Sequence, residues 1–289
     1  MSDLGPVNPG YAADVEWVRR WRPRPEGDPR TTASSLLIPA RTEDGVPVML
    51  KIAHTDEEVR GSELLAALEG RGVARVLRRD GEASLLERAT GGRDLVRMVR
   101  SGRDDDATRI ICEAGKRIHA ASADVLGAES PPELVELPTW FRHLFALADD
   151  LGPFHRRAAD IAGELLSDPR DESVLHGDLH HANVLDFGAR GWLAIDPKGL
   201  LGEAAFDTCN VLCNPSPERA LAPGRLERQF AVVLATTALE PERLARWLVA
   251  WCALSSTWFA IDDDPAHADS AAAIGERALA FTAGPSLSG

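Results

Sequence analysis

The sequence is poor in cysteine and in basic residues, and no apolar run in it approaches the length of a transmembrane helix. Four cysteines are too few for a disulfide framework in a chain of 289 residues, so we expect buried free thiols. With 32 Lys and Arg against 45 Asp and Glu, the net charge of −13 disfavours nucleic acid, whose phosphates are bound by clustered cations. The N-terminus has no basic region followed by an apolar stretch, and we therefore expect a cytoplasmic protein without a membrane partner.

The remaining composition is that of a folded globular protein, with 44% hydrophobic and 27% charged residues. A chain of 289 residues is long enough for one large domain or for two lobes that meet at a cleft. The acidic balance tolerates a cationic small-molecule ligand, and we expect a monomer or a weak dimer.

Short strand-like segments dominate the first third of the chain. Alternating apolar residues around two turns predict two antiparallel hairpins. Their strands are 35–38 with 46–52, and 73–77 with 83–86. Between the hairpins, Thr55 followed three residues later by Glu58 is a capping-box pattern that predicts a helix ending at Gly70. An amphipathic helix is predicted at 11–21, before the first hairpin.

Helical periodicity replaces the strands after Thr90-Gly91-Gly92. The predicted helices are 107–121, 140–147, 154–166, 226–237 and 242–261, interrupted by strand-like segments at 174–176, 182–185 and 192–196. The change predicts an α+β fold of two lobes, a smaller one at 1–89 and a mainly helical one at 90–289. The Gly-, Pro- and Ser-rich tail after Thr282 is predicted to be disordered.

The segment from His176 to Asn183 reads His-Gly-Asp-Leu-His-His-Ala-Asn, which is the H-x-D-x-x-x-x-N spacing of a kinase catalytic loop. Phosphoryl transfer needs a carboxylate that orients the acceptor hydroxyl and accepts its proton, and we assign this role to Asp178. It also needs hard oxygen ligands that hold Mg²⁺ against the phosphates of ATP, and Asn183 supplies one. The spacing therefore predicts an ATP- and Mg²⁺-dependent phosphotransferase.

A second metal ligand is expected at the end of a strand shortly after this loop. Asp186-Phe187-Gly188 spells the D-F-G motif literally, but it follows Asn183 by three residues and occupies the turn between two short strands. From that turn it could not fold back over the phosphates. Asp196 ends the next predicted strand, and we predict that Asp196 binds the metal.

A Lys–Glu pair that holds the α and β phosphates is expected in the smaller lobe. Lys51 lies on an apolar strand, where an ammonium group has few reasons to occur unless it is used. Several glutamates compete for the role of its partner, namely Glu57, Glu58 and Glu69. Only Glu63 lies mid-helix beside the apolar residues, so we predict that Glu63 pairs with Lys51.

Together these residues resemble the aminoglycoside phosphotransferase superfamily. The run from Leu175 to Leu185, the string Trp192-Leu-Ala-Ile-Asp-Pro-Lys-Gly-Leu200 and the pair Phe206-Asp207 resemble its streptomycin 6-phosphotransferase and hydroxyurea phosphotransferase branch. The resemblance extends more loosely from about Thr31 to Asp264. It implies a protein-kinase-like bilobal fold with a nucleotide-binding lobe, a catalytic and substrate-binding lobe, and ATP between them. The implied acceptor is a cationic aminoglycoside, streptomycin at its 6-hydroxyl, and the implied outcome is antibiotic resistance.

The loop expected to cover the phosphates departs from the protein-kinase pattern G-x-G-x-x-G, because the segment from Thr31 to Ser35 contains no glycine. The branch that the chain resembles has a similar Ser-containing loop. This implies that backbone N–H groups and the hydroxyls of Ser34 and Ser35 bind the phosphates. The resemblance also places the hinge at 86–89, where Glu87 and Ala89 would contact the nucleotide chiefly through the backbone.

Other polar residues near the predicted loop have less specific roles. His176 is predicted to pack under the loop and to orient its backbone rather than to react. The resemblance implies that Asp207 braces the same loop. His180 and His181 either face solvent or contact substrate, and Lys198 either neutralises phosphate charge or forms a salt bridge.

Acidic side chains are candidates for binding a cationic acceptor. Glu203 could receive such a group, and with His180 and Lys198 it belongs to the predicted substrate-side residues. Runs of acids are usually solvated faces or helix ends. The chain has two such runs, 104–106 and 262–264, and only the second follows a Trp-rich helix. Asp262 and Asp263 are therefore the better candidates for a substrate-binding wall.

Two other interpretations remain open on the sequence alone. A kinase of another small hydroxylated compound, such as hydroxyurea or a cellular metabolite, would have the same catalytic residues. A catalytically inactive nucleotide-binding homologue is disfavoured, because such proteins commonly lose the Lys, the catalytic Asp or the metal Asp. None of these residues is missing from the sequence.

Overall fold

The computed structural model describes residues 11–282. The strands are β1 Arg24–Pro25, β2 Arg30–Thr31, β3 Ser35–Arg41, β4 Pro47–Ala53, β5 Val76–Asp80, β6 Ala83–Glu87, β7 Val135–Glu136, β8 Glu172–Leu175, β9 Val184–Asp186, β10 Trp192–Ala194 and β11 Leu200–Glu203. The helices are α1 Tyr11–Trp21, α2 Asp56–Leu68, α3 Leu95–Arg100, α4 Asp104–His119, α5 Ser122–Leu126, α6 Leu137–Trp140, α7 Arg142–Leu151, α8 Pro153–Ser167, α9 Cys209–Cys213, α10 Pro217–Ala220, α11 Arg225–Thr237, α12 Pro241–Ile261 and α13 Pro265–Thr282. The tail predicted to be disordered lies outside the described residues.

The N-terminal part of the chain forms an antiparallel sheet in which β1 and β2 both pair with β3. The order then runs β3-β4-β6-β5, so the two predicted hairpins are confirmed and lie side by side. Strand β5 begins at Val76 rather than Val73, because Val73 instead forms a parallel bridge with Ala194 of β10. The apolar side chains of β3 and β4 form a core, against which Trp17 and Val18 of α1 pack.

Helix α2 follows β4 as predicted, and its start is set by the cap. The hydroxyl of Thr55 accepts a hydrogen bond from the backbone N–H of Glu58 at 3.4 Å. One position on this helix has to be glycine, since a Cβ at Gly61 would lie 2.1 Å from the carbonyl oxygen of Pro197. Gly61 therefore permits α2 to lie directly against the segment after β10.

Helix α12 lies at the centre of the helical part, in contact with α7, α8, α9 and α13. It is long and apolar enough to cross a membrane, so the expectation that no apolar run has this length was wrong. However, 72% of its most apolar window is buried within the protein, and Trp247 and Leu254 are among its buried residues. This burial identifies α12 as a core helix, because apolar side chains concentrate in the interior of a globular protein.

Two small sheets hold the loops that interrupt the helices. Strands β9 and β10 form the predicted antiparallel hairpin. Strand β8 belongs to a different sheet, where it pairs antiparallel with β11, and β11 pairs parallel with β7. The segment 176–183 therefore joins one small sheet to the other, with strands fixing both of its ends.

A buried ion pair joins α4 to α11. The carboxylate of Asp104 accepts hydrogen bonds from Nε and Nη2 of Arg225 at 2.8 and 3.0 Å, and both residues are buried. The same guanidinium donates to the backbone carbonyls of Leu212 and Asn214 at the end of α9. Asp104 thus has a structural role at the N-terminus of α4.

We predict that Asp104→Ala destabilises the protein by about 3–5 kcal/mol, because the buried guanidinium of Arg225 would lose its partner. The matched control is Asp106→Ala in the same helical turn, where the carboxylate is exposed and pairs with Arg103 and Arg109. That substitution should cost at most about 1 kcal/mol. Urea denaturation measures both free energies of unfolding, and equal losses would contradict the structural role of Asp104.

Candidate active site

A cavity of about 790 Å³ lies between the N-terminal sheet and the β9–β10 hairpin. Apolar side chains such as Leu37, Met49 and Leu185 line it together with charged ones. Seven of the predicted cofactor and metal residues line this cavity, namely Ser34, Ser35, Lys51, Glu87, Ala89, Asn183 and Asp196. Lys198 lines it as well, so residues far apart in the sequence meet at one site.

The ammonium group of Lys51 is buried at this cavity, with the residue only 5% exposed. It pairs with the carboxylates of Glu58 and Asp196, so the predicted pairing with Glu63 was wrong. Glu63 instead pairs with Arg79 of β5 at 3.1 Å. Five residues further along a helix is a rotation of about 140°, so Glu58 and Glu63 face different neighbours.

The loop between β2 and β3 is fixed by hydrogen bonds of its own hydroxyls. Ser34 Oγ donates to Glu58 Oε1 at 2.7 Å, which joins the loop to the glutamate that pairs with Lys51. The backbone N–H of Ser35 donates to Thr32 Oγ1 at 2.9 Å. The contact of both serines with phosphate stays a prediction, as do the nucleotide contacts of the hinge residues.

Asp196 follows β10 and has a left-handed backbone with φ 62°. This conformation is uncommon outside glycine, and where it occurs it often marks a functional site. Burial by itself raises the pKa of Asp196. The adjacent ammonium group of Lys51 lowers this pKa by more than burial raises it, so the net shift is downward. The carboxylate is thereby kept ionised, as a metal ligand must be.

Asp178 and Asn183 lie side by side in the loop between β8 and β9. Asn183 Nδ2 donates to Asp178 Oδ2 at 3.0 Å and to the backbone carbonyl of Asp178 at 2.9 Å. The second carboxylate oxygen, Asp178 Oδ1, accepts from Asn210 Nδ2 at 2.8 Å. The Asp178 side chain remains 31% exposed, with His180 Nε2 at 3.7 Å. An acceptor hydroxyl can therefore reach the carboxylate.

Buried polar groups hold the backbone of this loop. Asp207 accepts hydrogen bonds from the backbone N–H groups of His176 and Gly177 at 2.8 and 2.6 Å, and pairs with His119 at 2.8 Å. Burial raises the pKa of Asp207, but the hydrogen bond with His119 and the other contacts outweigh it and lower the pKa overall. The predicted bracing by Asp207 is present in the structure.

His176 connects the loop to the segment that carries Asp196. It is completely buried, its Nε2 donates to the carbonyl of Ile195 at 2.8 Å, and its Nδ1 accepts from the N–H of Asp178 at 3.2 Å. Burial lowers the pKa of His176, which favours the neutral ring that this pair of bonds requires. His176 packs under the loop as predicted.

The literal D-F-G segment has a structural role. Asp186 is buried, and its carboxylate pairs with Arg93 through two hydrogen bonds of 2.7 Å. The same guanidinium lies over the ring of Trp192. The chain passes so closely that a Cβ at Gly91 would lie 2.1 Å from the Asp186 carboxyl carbon. Asp186 thus fixes the segment 91–93, which connects β6 of the N-terminal sheet to α3.

The predicted substrate-side residues lie in different environments. Glu203 is only 5% exposed and its carboxylate is paired with the guanidinium of Arg243 at 2.6 Å, so its prediction as a substrate contact was wrong. Asp262 and Asp263 are exposed at the end of α12, and their role stays a prediction. Lys198 lines the cavity and forms a salt bridge with Glu57 of α2 at 2.9 Å, so the salt bridge is present and the role at the phosphates stays a prediction.

Some residues of the site were not singled out from the sequence. Gly27, Asp28 and Arg30 line the cavity because the Pro-rich segment turns into β1 and β2 at the sheet edge. Nothing in their spacing indicates this. Asn210 contacts Asp178 from α9 and likewise has no motif around it. Glu58, by contrast, carried a signal, since the capping box places it in the first turn after the Lys51 strand.

Comparison with known proteins agrees with this geometry. A family model described as aminoglycoside/hydroxyurea antibiotic resistance kinase matches residues 20–263. Streptomycin 3''-kinase of Klebsiella pneumoniae is 48% identical over 250 residues, which cover 84% of this chain and 90% of that protein. Streptomycin 6-kinase of Streptomyces griseus is 32% identical over 271 residues, which cover 90% of this chain and 86% of that protein. 

The fold has relatives among solved structures at low sequence identity. A thermostable mutant of aminoglycoside phosphotransferase APH(4)-Ia, in a ternary complex with AMP-PNP and hygromycin B, matches with a TM-score of 0.66 at 13% identity. The match covers 94% of this chain and 99% of that one. Fold and site together define the chain as a small-molecule kinase of the protein-kinase-like fold. More particularly, it belongs to the aminoglycoside/hydroxyurea antibiotic resistance kinase family, as the sequence predicted.

We predict that Glu58→Gln lowers kcat/KM for ATP by about 10²-fold, because Lys51 would lose half of the charge that positions it. Glu63→Gln on the same helix is the matched control and should stay within about twofold, since it removes only a partly exposed ion pair. Steady-state kinetics at saturating acceptor measure both values. A large loss in Glu63→Gln with little change in Glu58→Gln would instead support the pairing of Lys51 with Glu63.

Proposed function

We propose that this protein is an ATP-dependent streptomycin kinase that confers antibiotic resistance in the cytoplasm. The observation that carries the proposal is the position of Asp178, partly exposed and hydrogen-bonded to Asn183 next to the cavity that Lys51 and Asp196 line. Streptomycin is favoured as the acceptor because the relatives reported above include kinases of that compound at 48% and 32% identity.

Each residue of the site has a separate role in the proposed reaction. Lys51, braced by Glu58, would hold the α and β phosphates, and the N–H groups of the β2–β3 loop would cover the γ-phosphate. Asp178 would accept a hydrogen bond from the acceptor hydroxyl and take its proton as the oxygen attacks phosphorus. The γ-phosphoryl group then leaves ADP and stays on the acceptor oxygen. Rate enhancement comes mainly from position and charge.

Magnesium fits the oxygen atoms of the site. Because Nδ2 of Asn183 is held by Asp178, its Oδ1 faces the other way, and the carboxylate of Asp196 lines the same cavity. One amide oxygen and one carboxylate suit Mg²⁺, which completes its shell with phosphate oxygens and water. Bound there, Mg²⁺ would neutralise phosphate charge during transfer.

The hydroxyl that receives the phosphoryl group is the open part of the proposal. The sequence predicted the 6-hydroxyl, and a streptomycin 6-kinase is 32% identical to this chain. A streptomycin 3''-kinase is 48% identical over a similar length, which favours the 3''-hydroxyl. We therefore propose the 3''-hydroxyl and keep the 6-hydroxyl as the alternative.

A kinase of another small hydroxylated compound is the second candidate. It is favoured by the family description, which includes hydroxyurea, and by catalytic residues that do not distinguish acceptors. An inactive nucleotide-binding homologue is disfavoured, because Lys51, Asn183 and Asp196 line one cavity and Asp178 is hydrogen-bonded to Asn183 beside it.

Purified protein, MgATP and streptomycin are expected to give a product heavier by one phosphoryl group, with phosphorus-coupled NMR placing it on the 3''-oxygen. Chelation of Mg²⁺ by EDTA and the variant Asp178→Ala should each abolish transfer. Phosphate on the 6-oxygen would support the alternative position. Transfer to hydroxyurea or to a hydroxylated metabolite, but not to streptomycin, would contradict the proposed acceptor, and nucleotide binding without transfer to any compound would contradict the kinase activity.

A further inference from the structure

We propose that Asn210 is a positioning residue that fixes the orientation of the Asp178 carboxylate, an inference that rests on the proposed function of Asp178 as the acceptor-binding base. Asn210 lies on α9, outside the loop that carries Asp178 and Asn183. Its Nδ2 donates to Asp178 Oδ1 at 2.8 Å, and the residue is buried. It lies 32 positions from Asp178 in the sequence, so no local pattern requires the contact.

The amide of Asn210 can point only one way. Its Oδ1 accepts a hydrogen bond from Nδ2 of Asn214 at 2.7 Å, and the same Nδ2 donates to the backbone carbonyl of Asn210 at 3.1 Å. A side-chain amide has one oxygen and one NH₂ group. Since the oxygen is engaged by Asn214, the NH₂ group has to face Asp178.

The partner that orients Asn210 is itself held from the protein interior. Arg225 donates from Nη2 to the backbone carbonyl of Asn214 at 2.7 Å, and its guanidinium is paired with the buried carboxylate of Asp104. A continuous series of hydrogen bonds therefore runs from the core of the helical part to the predicted base. Satisfied buried networks of this kind are rigid, because every alternative leaves a polar group unpaired.

The consequence for Asp178 is a carboxylate held at both oxygens. Asn183 donates to Oδ2 and Asn210 donates to Oδ1, which stops rotation about the Cβ–Cγ bond and keeps a lone pair directed to the acceptor. Charged or titratable groups near this carboxylate include His176, His180 and Lys198. The two donors differ in their position relative to the cavity that Lys51 and Asp196 line. Asn183 lines this cavity, and its side-chain oxygen suits the metal, whereas Asn210 does not line it.

This difference predicts a split in the kinetics. Without the Asn210 donor, ATP and its metal should bind as before, while the acceptor hydroxyl meets a carboxylate of uncertain orientation. We expect Asn210→Leu and Asn210→Asp to lower kcat by about tenfold to hundredfold, as loss of a charge-assisted hydrogen bond does, with KM for ATP within about twofold. The first variant removes the donor, and the second keeps the volume but presents only oxygens to Asp178.

The matched control is Cys209→Ala, which alters a buried side chain on the same helix without touching Asp178. It should keep the wild-type kcat, and thermal denaturation of all three variants separates stability from catalysis. The inference is overturned if both Asn210 variants have the kcat of Cys209→Ala, or if KM for ATP rises as much as kcat falls. The latter result would indicate a structural role shared by the whole site.

A second measurement needs no acceptor and separates this inference from the proposed function. In protein labelled with isotopic asparagine, the side-chain NMR signal of Asn210 is the one absent from Asn210→Leu. We expect it to be protected from exchange in the wild type, and to shift and lose protection in Asp178→Ala but not in Cys209→Ala. A signal unchanged in Asp178→Ala would overturn the inference, whereas failure of the wild type to phosphorylate streptomycin would contradict the proposed function only.

Discussion

The structure of the site depends on one buried cation, the ammonium group of Lys51. An unpaired charge at that depth would be prohibitively costly, and Lys51 is stable there because the carboxylates of Glu58 and Asp196 both bind it. These partners come from α2 and from the segment after β10. The ion pairs therefore join the N-terminal sheet region to the part of the chain that would bind the metal.

Other contacts keep α2 against that segment. Gly61 has no side chain where it meets the carbonyl of Pro197, and Lys198 pairs with Glu57 one residue before Glu58. Together these contacts set the distance between Lys51, which we propose binds phosphate, and Asp196, which we propose binds the metal. In phosphoryl transfer, where little covalent chemistry is left to the protein, such preorganisation is the main contribution to rate.

The fold and most of the residues that line the cavity on the cofactor and metal side could be predicted because their signals are local. Alternation of apolar residues gave the hairpins, and the fixed spacing around Asp178 and Asn183 identified the loop without knowledge of what surrounds it. The choice of Asp196 over Asp186 needed only the length of one hairpin. The structure agrees to the extent that Asp196 lines the cavity and Asp186 is paired with Arg93.

The wrong predictions concern side-chain contacts between residues that lie far apart in the sequence. Glu63 looked better than Glu58 because its position on α2 was judged without knowing which face meets β4. Glu203 looked available to a cationic acceptor, although Arg243 lies beside it in the folded chain and neutralises it. Asn210 was overlooked for the same reason, since its contact with Asp178 arises only from the packing of α9 below the loop.

The central claim is that the acceptor hydroxyl, the base and the metal meet at Asp178, Asn183 and Asp196. A crystal structure with Mg²⁺, a non-hydrolysable ATP analogue and streptomycin tests it most directly. The account predicts Mg²⁺ bound by the oxygens of Asn183 and Asp196, with one streptomycin hydroxyl hydrogen-bonded to the Asp178 carboxylate and in line with the γ-phosphorus. Metal bound by Asp186, or streptomycin bound with no hydroxyl near Asp178, would contradict it.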